Sequence, residues 1–428
     1  MVEWMRFLLL LAACLGLAAV PDAQEDAPRE AVPRTLKEEP LLRVLLAEAQ
    51  RVRVDILAPV SLVVGERATT LEPGTLLLEV REDGWRIAGG TTLVRGPGRL
   101  VNGAEPALRV QALPRFGAPR DVLLQGDLTV RRIGDQVALI ERVPMERYLA
   151  SVVGAEMNPK WPAPALAAQA IVARSYAAAR WMERGAEPWD VHWHFGVDMA
   201  YHGATPGDAR VAAAIEPTRG QVLTYRGLPV LALFHASSGG RTEAFERVKP
   251  GVVAPDGKTP IAAAMPVVED PAALPGADGL SLAATHGRWK ADLPLPEITE
   301  ALQAWSRAEE GRPPFGTVEG VSILERHADS GRVAKVSVRH VLDGERRFKT
   351  LDASVFRLAV SPVRIRSVWW DRCVIAAKAP GYLVLEGRGF GHGCGLSQVS
   401  AWYLARRGES ATSIVARFYQ GAKLERLY

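Results

Sequence analysis

Cysteine is scarce in this sequence: three in 428 residues, at positions 14, 373 and 394, with no CxxC pair anywhere. That excludes a zinc ribbon or a thioredoxin-like redox centre. The two cysteines beyond the N-terminal segment can pair with each other, but a chain of this length does not rest on one disulfide. A surplus of either charge is also missing. Lys and Arg number 52 against 48 Asp and Glu, a net charge of +4, and they are interspersed rather than gathered into a stripe. A dedicated nucleic-acid binder is excluded on that ground. There is no GxSxG elbow for a serine hydrolase and no HExxH for a zinc protease. No repeat of solenoid period is present.

What is present is the composition of a folded protein, 48% hydrophobic and 23% charged, long enough for two domains or for one large domain with an appendage. Residues 1–23 have the layout of a secretory signal: Arg6, an apolar stretch from Phe7 too short to span a membrane, then Pro21-Asp22 and a charged run. Two processing routes stand open. Cleavage after Ala18 uses Gly16 and Ala18 as the small residues, whereas Leu11-Ala12-Ala13-Cys14 resembles a lipobox and offers a lipid anchor at Cys14. Residues 24–40, rich in Pro, Glu and Ala, read as a tether. Export to the periplasm or cell envelope follows.

From residue 41 to about 140, short alternating runs such as SLVVG, TLLLEVRE and DLTVRRIGDQVALI predict a β-rich part. The segments MERYLASVVGAEM and PAPALAAQAIVARSYAAARWMERG then predict two helices. The second places Leu166, Ala170, Ala173, Ala177 and Trp181 on one face, flanked by Gln169 and Arg174. Strands return near residue 221, and residues 250–290 read as a long insertion or loop. An amphipathic helix near residue 300, a β-rich block from 318 to 370 and two closing helices complete the chain. The expected class is α+β, with mixed β-sheets, an Ala-rich helix at the site and β-rich flanks.

In GRGFGHGCGLSQ, residues 387–398, glycine recurs at every second position. On an extended segment these glycines share one face and offer bare backbone to a glycan or another strand. No register satisfies GxGxxG, so a nucleotide loop is not read there.

Three ordered blocks carry a resemblance. MERYLASVVGAEMNPKWPAPALAAQAIVARSYAAAR, TRGQVLTYRGLPVLALFHASSGGRTE and GRGFGHGCGLSQVSAWYLARRGESATSIVARFYQGAKL closely resemble the signature segments of the SpoIID/LytB family, best over 144–180, 219–243 and 386–423. The resemblance extends over most of residues 41–428. It implies an extracytoplasmic lytic transglycosylase that cleaves between N-acetylmuramic acid and N-acetylglucosamine in glycan strands stripped of stem peptides, forming a 1,6-anhydro end, with Glu156 as the catalytic acid. Some members are amidase enhancers, which gives the alternative: a glycan-binding protein that assists a cell-wall amidase. No cofactor is required by either reading.

The local chemistry agrees with the first. Protonating a glycosidic oxygen needs a carboxyl of raised pKa, and Glu156 stands among Val152, Val153 and Met157. A transglycosylase needs no second acid, since the sugar's own C6 hydroxyl attacks, and no other acid occurs between Ala150 and Ala179. The alternative for Glu156 is a buried acid held by Arg174. Gln169, Arg174 and Tyr176 match the family's helix pattern and are read as orienting groups or as packing. Tyr201, Ser238, Gly239, Gly240, His392, Ser397 and Gln398 match further family positions and are read as substrate contacts, with a satisfied core histidine as the alternative for His392. The three blocks are expected to converge on one cleft. Methionine at 199, where the family usually has glutamine, departs from the pattern. Some relatives carry zinc in this region; here His192, His194 and His202, with Asp190 or Asp198, are the weak candidates for that metal.

Overall fold

The computed structural model describes residues 36–90, 92–103, 105–114, 118–205, 208–273, 287–376 and 380–428. The signal segment, Cys14, the tether up to residue 35 and residues 274–286 of the long insertion lie outside them. The described residues form two compact units: 36–232 together with 253–259 and 423–428, and 233–252 together with 260–422.

In the first unit the alternating runs form two sheets. Seven strands run in the order Val191–His192, Leu41–Ala49, Gln136–Pro144, Asp127–Ile133, Gly98–Val101, Val60–Val64 and Arg67–Leu71. All neighbours are antiparallel except Val191–His192, which lies parallel to Leu41–Ala49. The second sheet has five antiparallel strands centred on Arg51–Ile56, where Val52, Val54 and Ile56 are buried and Arg51 and Arg53 point outward. Period-two alternation thus gives each strand one core face.

The strand Gln136–Pro144 leads directly into the glutamate helix, Met145–Glu156. Pro144 occupies the N-cap, where its missing N–H costs nothing, and Glu146 in the first turn suits the positive end of the helix. The helix ends because Met157 turns extended and Asn158 precedes Pro159, which disfavours further helical geometry. Glu156 is therefore fixed at the carbonyl end.

The alanine helix, Ala163–Glu183, starts after Pro162. One buried face was expected. Instead sixteen of its 21 residues are buried, and Trp181 on the expected face is only half-buried. A helix apolar all round packs on all sides, and alanine lets each neighbour approach closely. The strand Gln221–Tyr225 pairs on one edge with Leu228–Pro229, across a turn with positive φ at Arg226 and Gly227, and on the other with Lys423–Arg426. Leu427 N–H donates to Gly220 O at 2.8 Å, and Leu36 N–H to Leu427 O at 2.6 Å.

The second unit contains a core of its own, built on Trp289, Ile298, Leu302, Phe315, Val336, Val338, Phe356, Trp370 and Leu385. Two three-stranded antiparallel sheets supply it, Arg288–Pro294 with Tyr382–Arg388 and Trp370–Ala376, and Thr317–Arg326 with Val333–Leu342 and Glu345–Asp352. The block expected to be β-rich also holds a helix, Ala353–Val360, which buries Ala353, Phe356, Ala359 and Val360. Its spacing of three and four is helical, but eight residues are too few to stand out in a β context.

The glycine run departs from the extended form expected of it. The strand stops at Arg388, and Gly389, Gly391, Gly393 and Gly395 have φ of 77°, 104°, 87° and 72°. A Cβ at any of them would fall within 3 Å of the chain itself: Ser237 and Ser238 at Gly389, His235 at Gly391, Arg332 at Gly393, Leu233 at Gly395. The bare edge is occupied by the protein's own backbone and side chains, here more than anywhere requiring glycine.

Candidate active site

Glu156 closes the glutamate helix with its carboxyl half-buried, behind the fully buried Val152 and Val153 and beside Met157. Its Oε1 accepts the Ala200 N–H at 2.9 Å. Burial raises its pKa and the Ala200 N–H opposes the rise without cancelling it. The helix carbonyl end adds a field that disfavours a negative charge. The result is a carboxyl disposed to keep its proton and still able to give it up.

The segment that supplies Ala200 is tightly held. Tyr201 N–H donates to Trp193 O at 2.9 Å, His202 N–H to Ser151 Oγ at 3.0 Å and Ala204 N–H to Leu123 O at 2.8 Å. Gly203, with φ of 71°, lies so close to Leu123 O that a side chain would clash. Met199, the departure from the family pattern, is buried. Tyr201 is fully buried; its ring stacks on Tyr148 of the glutamate helix at 5.1 Å, and its hydroxyl donates to Glu141 Oε2 at 3.0 Å.

Glu141 was not singled out in the sequence. It is fully buried and accepts N–H bonds from Gln125 at 2.7 Å and Gly126 at 2.9 Å as well as the Tyr201 hydroxyl. Burial raises its pKa to about 7, against the pull of those donors. The signal was one acid in the apolar strand VALIERV, but an acid in a strand usually marks the solvent face.

The other helix residues sit as follows. Arg174 is fully buried and clamps Glu146, Nε to Oε1 at 2.8 Å and Nη2 to Oε2 at 2.7 Å, while Nη1 reaches Gln221 O at 3.1 Å. Glu146 also accepts from the Tyr428 hydroxyl, and its pKa is lowered: burial pushes it up, but the Arg174 bonds and charge outweigh that. Arg174 thus holds Glu146, the acid at the opposite end of the helix from Glu156. Tyr176 donates to Asp198 Oδ1 at 2.7 Å, and Asp198, fully buried, is kept below its ordinary value by Arg184 and Arg180 despite its burial. Gln169 is fully buried, and neither its Oε1 nor its Nε2 has a hydrogen-bond partner among the described residues.

His192 Nδ1 accepts from His194 N–H at 3.1 Å, His194 Nδ1 from Gly196 N–H at 3.2 Å, and His202 Nε2 lies 2.9 Å from Arg120 Nη1. Asp190 is bound by Arg43. Among the described residues no three His, Cys, Asp or Glu side chains are grouped to hold a metal ion, so this donor set does not fit a tetrahedral zinc.

The remaining candidates belong to the second unit. Ser238, fully buried, donates from Oγ to Asp270 Oδ2 at 2.6 Å, and its carbonyl accepts from Arg332 at 2.8 Å. Gly239 and Gly240 follow with φ of 74° and 122°. Ser400 donates to the same Asp270 oxygen at 2.8 Å, and Ser397 lies 3.0 Å from Ser400, oxygen to oxygen. Asp270, another acid the sequence reading passed over, comes from the long insertion; burial raises its pKa against the serine hydroxyls. Gln398 is nearly buried. His392 accepts from Cys394 N–H at 3.0 Å and packs edge-on to His235 at 5.6 Å. Burial, with Lys249 and Arg357, pushes it down to about 3, so it is neutral at physiological pH.

A family model described as Stage II sporulation protein matches residues 134–225, the stretch that contains Glu141, both helices and the 199–203 segment. Among curated relatives, the Amidase enhancer of Bacillus subtilis is 26% identical over 305 residues, 64% of this chain and 40% of that protein. Stage II sporulation protein D of Bacillus amyloliquefaciens is 24% identical over 304 residues, 67% of this chain and 75% of the relative. Residues 134–225 match the family model, and the chain is similar to SpoIID and LytB proteins over about two thirds of its length. An uncharacterized protein of Brachyspira hyodysenteriae is 23% identical over 300 residues, 70% and 71% of the two chains. A second model, a domain of unknown function (DUF8618), matches residues 281–395. That region coincides with the separate core around Trp289 and Trp370.

Proposed function

We propose that this protein is a lytic transglycosylase acting on denuded peptidoglycan glycan strands, with Glu156 as both acid and base. The similarity to the SpoIID model and to the sporulation and amidase-enhancer relatives supports a cell-wall-related, envelope-associated role. The observation that carries the finer reading is a half-buried carboxyl of raised pKa at a helix carbonyl end, accepting the Ala200 N–H. Glu156 gives its proton to the bridging oxygen as the C1–O4 bond between muramic acid and glucosamine breaks. The muramic C6 hydroxyl then bonds to C1, and its proton returns to Glu156. Bonds and protons balance without water and without a second catalytic acid. Glu141 does not compete for that role, being sealed from solvent by its three hydrogen bonds.

A second reading is favoured by the amidase-enhancer relative: a glycan binder that assists an N-acetylmuramoyl amidase without cutting. Mass spectrometry of denuded strands after exposure to the purified protein separates the two. Anhydro-muramic ends that disappear in Glu156→Gln are expected; strands bound but uncut would select the second reading. Export with either cleavage after Ala18 or a lipid at Cys14 belongs to the same proposal, and the intact mass of the mature protein decides between them.

A further inference from the structure

Among the described residues of the first unit, a cavity of about 250 Å³ opens beside Arg99, Asn102, Gln125, Asp127, Arg142 and Arg147. Its lining charges are unequal: three arginines and one aspartate. Asp127 is already engaged, Oδ1 by Asn102 N–H at 3.0 Å, while its Oδ2 lies 3.8 Å from Arg99, too long for a hydrogen bond. Arg147 donates only Nη1, to Gln125 O at 3.2 Å. The side chain of Arg142 makes no hydrogen bond or ion pair among the described residues, although it is half-buried in the wall of the cavity. Like charges gathered in a concavity repel one another unless something neutralises them, and an arginine fork matches an oxyanion with two parallel bonds.

We propose that this cavity is an anion subsite for the glycan strand, taking the lactyl carboxylate of a muramic acid. The assignment of carboxylate rests on the proposed substrate. Where a stem peptide is attached, the lactyl group ends in a neutral amide; where it has been removed, each muramic acid carries a free carboxylate. The arginines would therefore read the chemical difference between peptide-bearing and denuded strands. The volume suits one sugar-sized group rather than a longer segment. Pro144 and Arg147, at the start of the glutamate helix, line the cavity, whereas Glu156 ends the same 12-residue helix, about 18 Å on. The subsite thus acts on strand affinity and register, apart from proton transfer.

The test is strand binding by the full-length protein in the Glu156→Gln background, so that nothing is cut and the result does not depend on catalysis. Probes are denuded strands, the same strands with carboxyls reduced to alcohols, and a phosphate-bearing teichoic polymer. Arg142→Gln and Arg147→Gln are each expected to weaken binding of denuded strands about tenfold, the loss of one charged hydrogen-bonded contact. Reduced strands should bind the unsubstituted arginines as weakly as denuded strands bind the variants, and the variants should lose nothing further on them. Unchanged unfolding midpoints guard against misfolding. Equal binding of denuded and reduced strands overturns the carboxylate assignment, and tighter binding of the teichoic polymer reassigns the cavity to phosphate. Unaltered affinity in both arginine variants removes the subsite. Failure of the transglycosylase reading appears elsewhere, as an absence of anhydro product from the unsubstituted protein.

Discussion

Glu146 and Glu156 stand at opposite ends of one helix, and their carboxyls are driven in opposite directions. Glu146 occupies the first turn, where backbone N–H groups favour an anion, and a buried arginine clamps both its oxygens. Glu156 occupies the last position, among carbonyls, and its Oε1 accepts the Ala200 N–H at 2.9 Å. The Arg174 clamp holds one carboxyl below its ordinary pKa, while burial raises the other, and the two helix ends act in the same two directions. The same residue type therefore says little until its helix end and its partners are known.

The largest effect should come from breaking the Glu156 end. Glu156→Gln is expected to lower anhydro-product formation by at least about 100-fold, the usual scale for a lost general acid, with an unchanged circular-dichroism spectrum; a variant that still cuts would remove the proposal. If the proposal holds, the same proton is expected to set an alkaline limb in the unsubstituted protein, anhydro-product formation falling as pH rises through the raised pKa of Glu156.

Breaking the Glu146 end should cost stability rather than chemistry. Arg174→Met strips the clamp from a largely buried carboxylate, and urea unfolding should show a loss of about 3–5 kcal/mol. A loss well under 1 kcal/mol would mean that Tyr428 and Gly220 suffice for Glu146.

Glu141 sharpens the contrast, as a third acid with neither a cation nor a helix end. Its folded pKa of about 7 lies above the unfolded value of 4.5. The folded state therefore binds more protons between those values, and its contribution to stability is full below about 4.5 and lost as pH rises through 7. Glu141→Gln should flatten the stability profile over that window by up to about 1.4 kcal/mol per pH unit, measured by urea titration at several pH values. An unaltered slope would mean Glu141 is ionised throughout. The smallest effect is expected from Tyr201→Phe, about 1 kcal/mol for one hydrogen bond, with a partial loss of activity through the Ala200 segment. Activity equal to the parent would separate Tyr201 from the positioning of Glu156.

Local features of this architecture were legible in the sequence. Pro144, the Asn158-Pro159 pair and Pro162 punctuate the two helices, and Glu156 stands out as a candidate because a family-like motif and apolar neighbours coincide on it. What was hidden depends on distance along the chain. Nothing near Arg174 announces that its partner is Glu146, 28 positions earlier, and nothing near Asp270 announces the hydroxyls of Ser238 and Ser400, 32 and 130 positions away. The hydroxyl that bonds buried Glu141 likewise comes from Tyr201, 60 positions on. The glycine run misled for a different reason: alternation is the mark of a strand face, but glycine also allows left-handed φ, and four of these five residues adopt it.

The pairing of Gln221–Tyr225 with Lys423–Arg426 has a consequence for order in time. Thr224 and Glu425, hydrogen-bonded across that pair, are 201 positions apart, and the whole second unit lies between them. At ribosomal speeds, roughly 10–40 s separate the appearance of the two strands. Until then the edge of Gln221–Tyr225 is open and Glu146 lacks the Tyr428 hydroxyl. The unit that begins first is the one that finishes last, so the protein acquires its complete acid-bearing unit only after the intervening unit has been made.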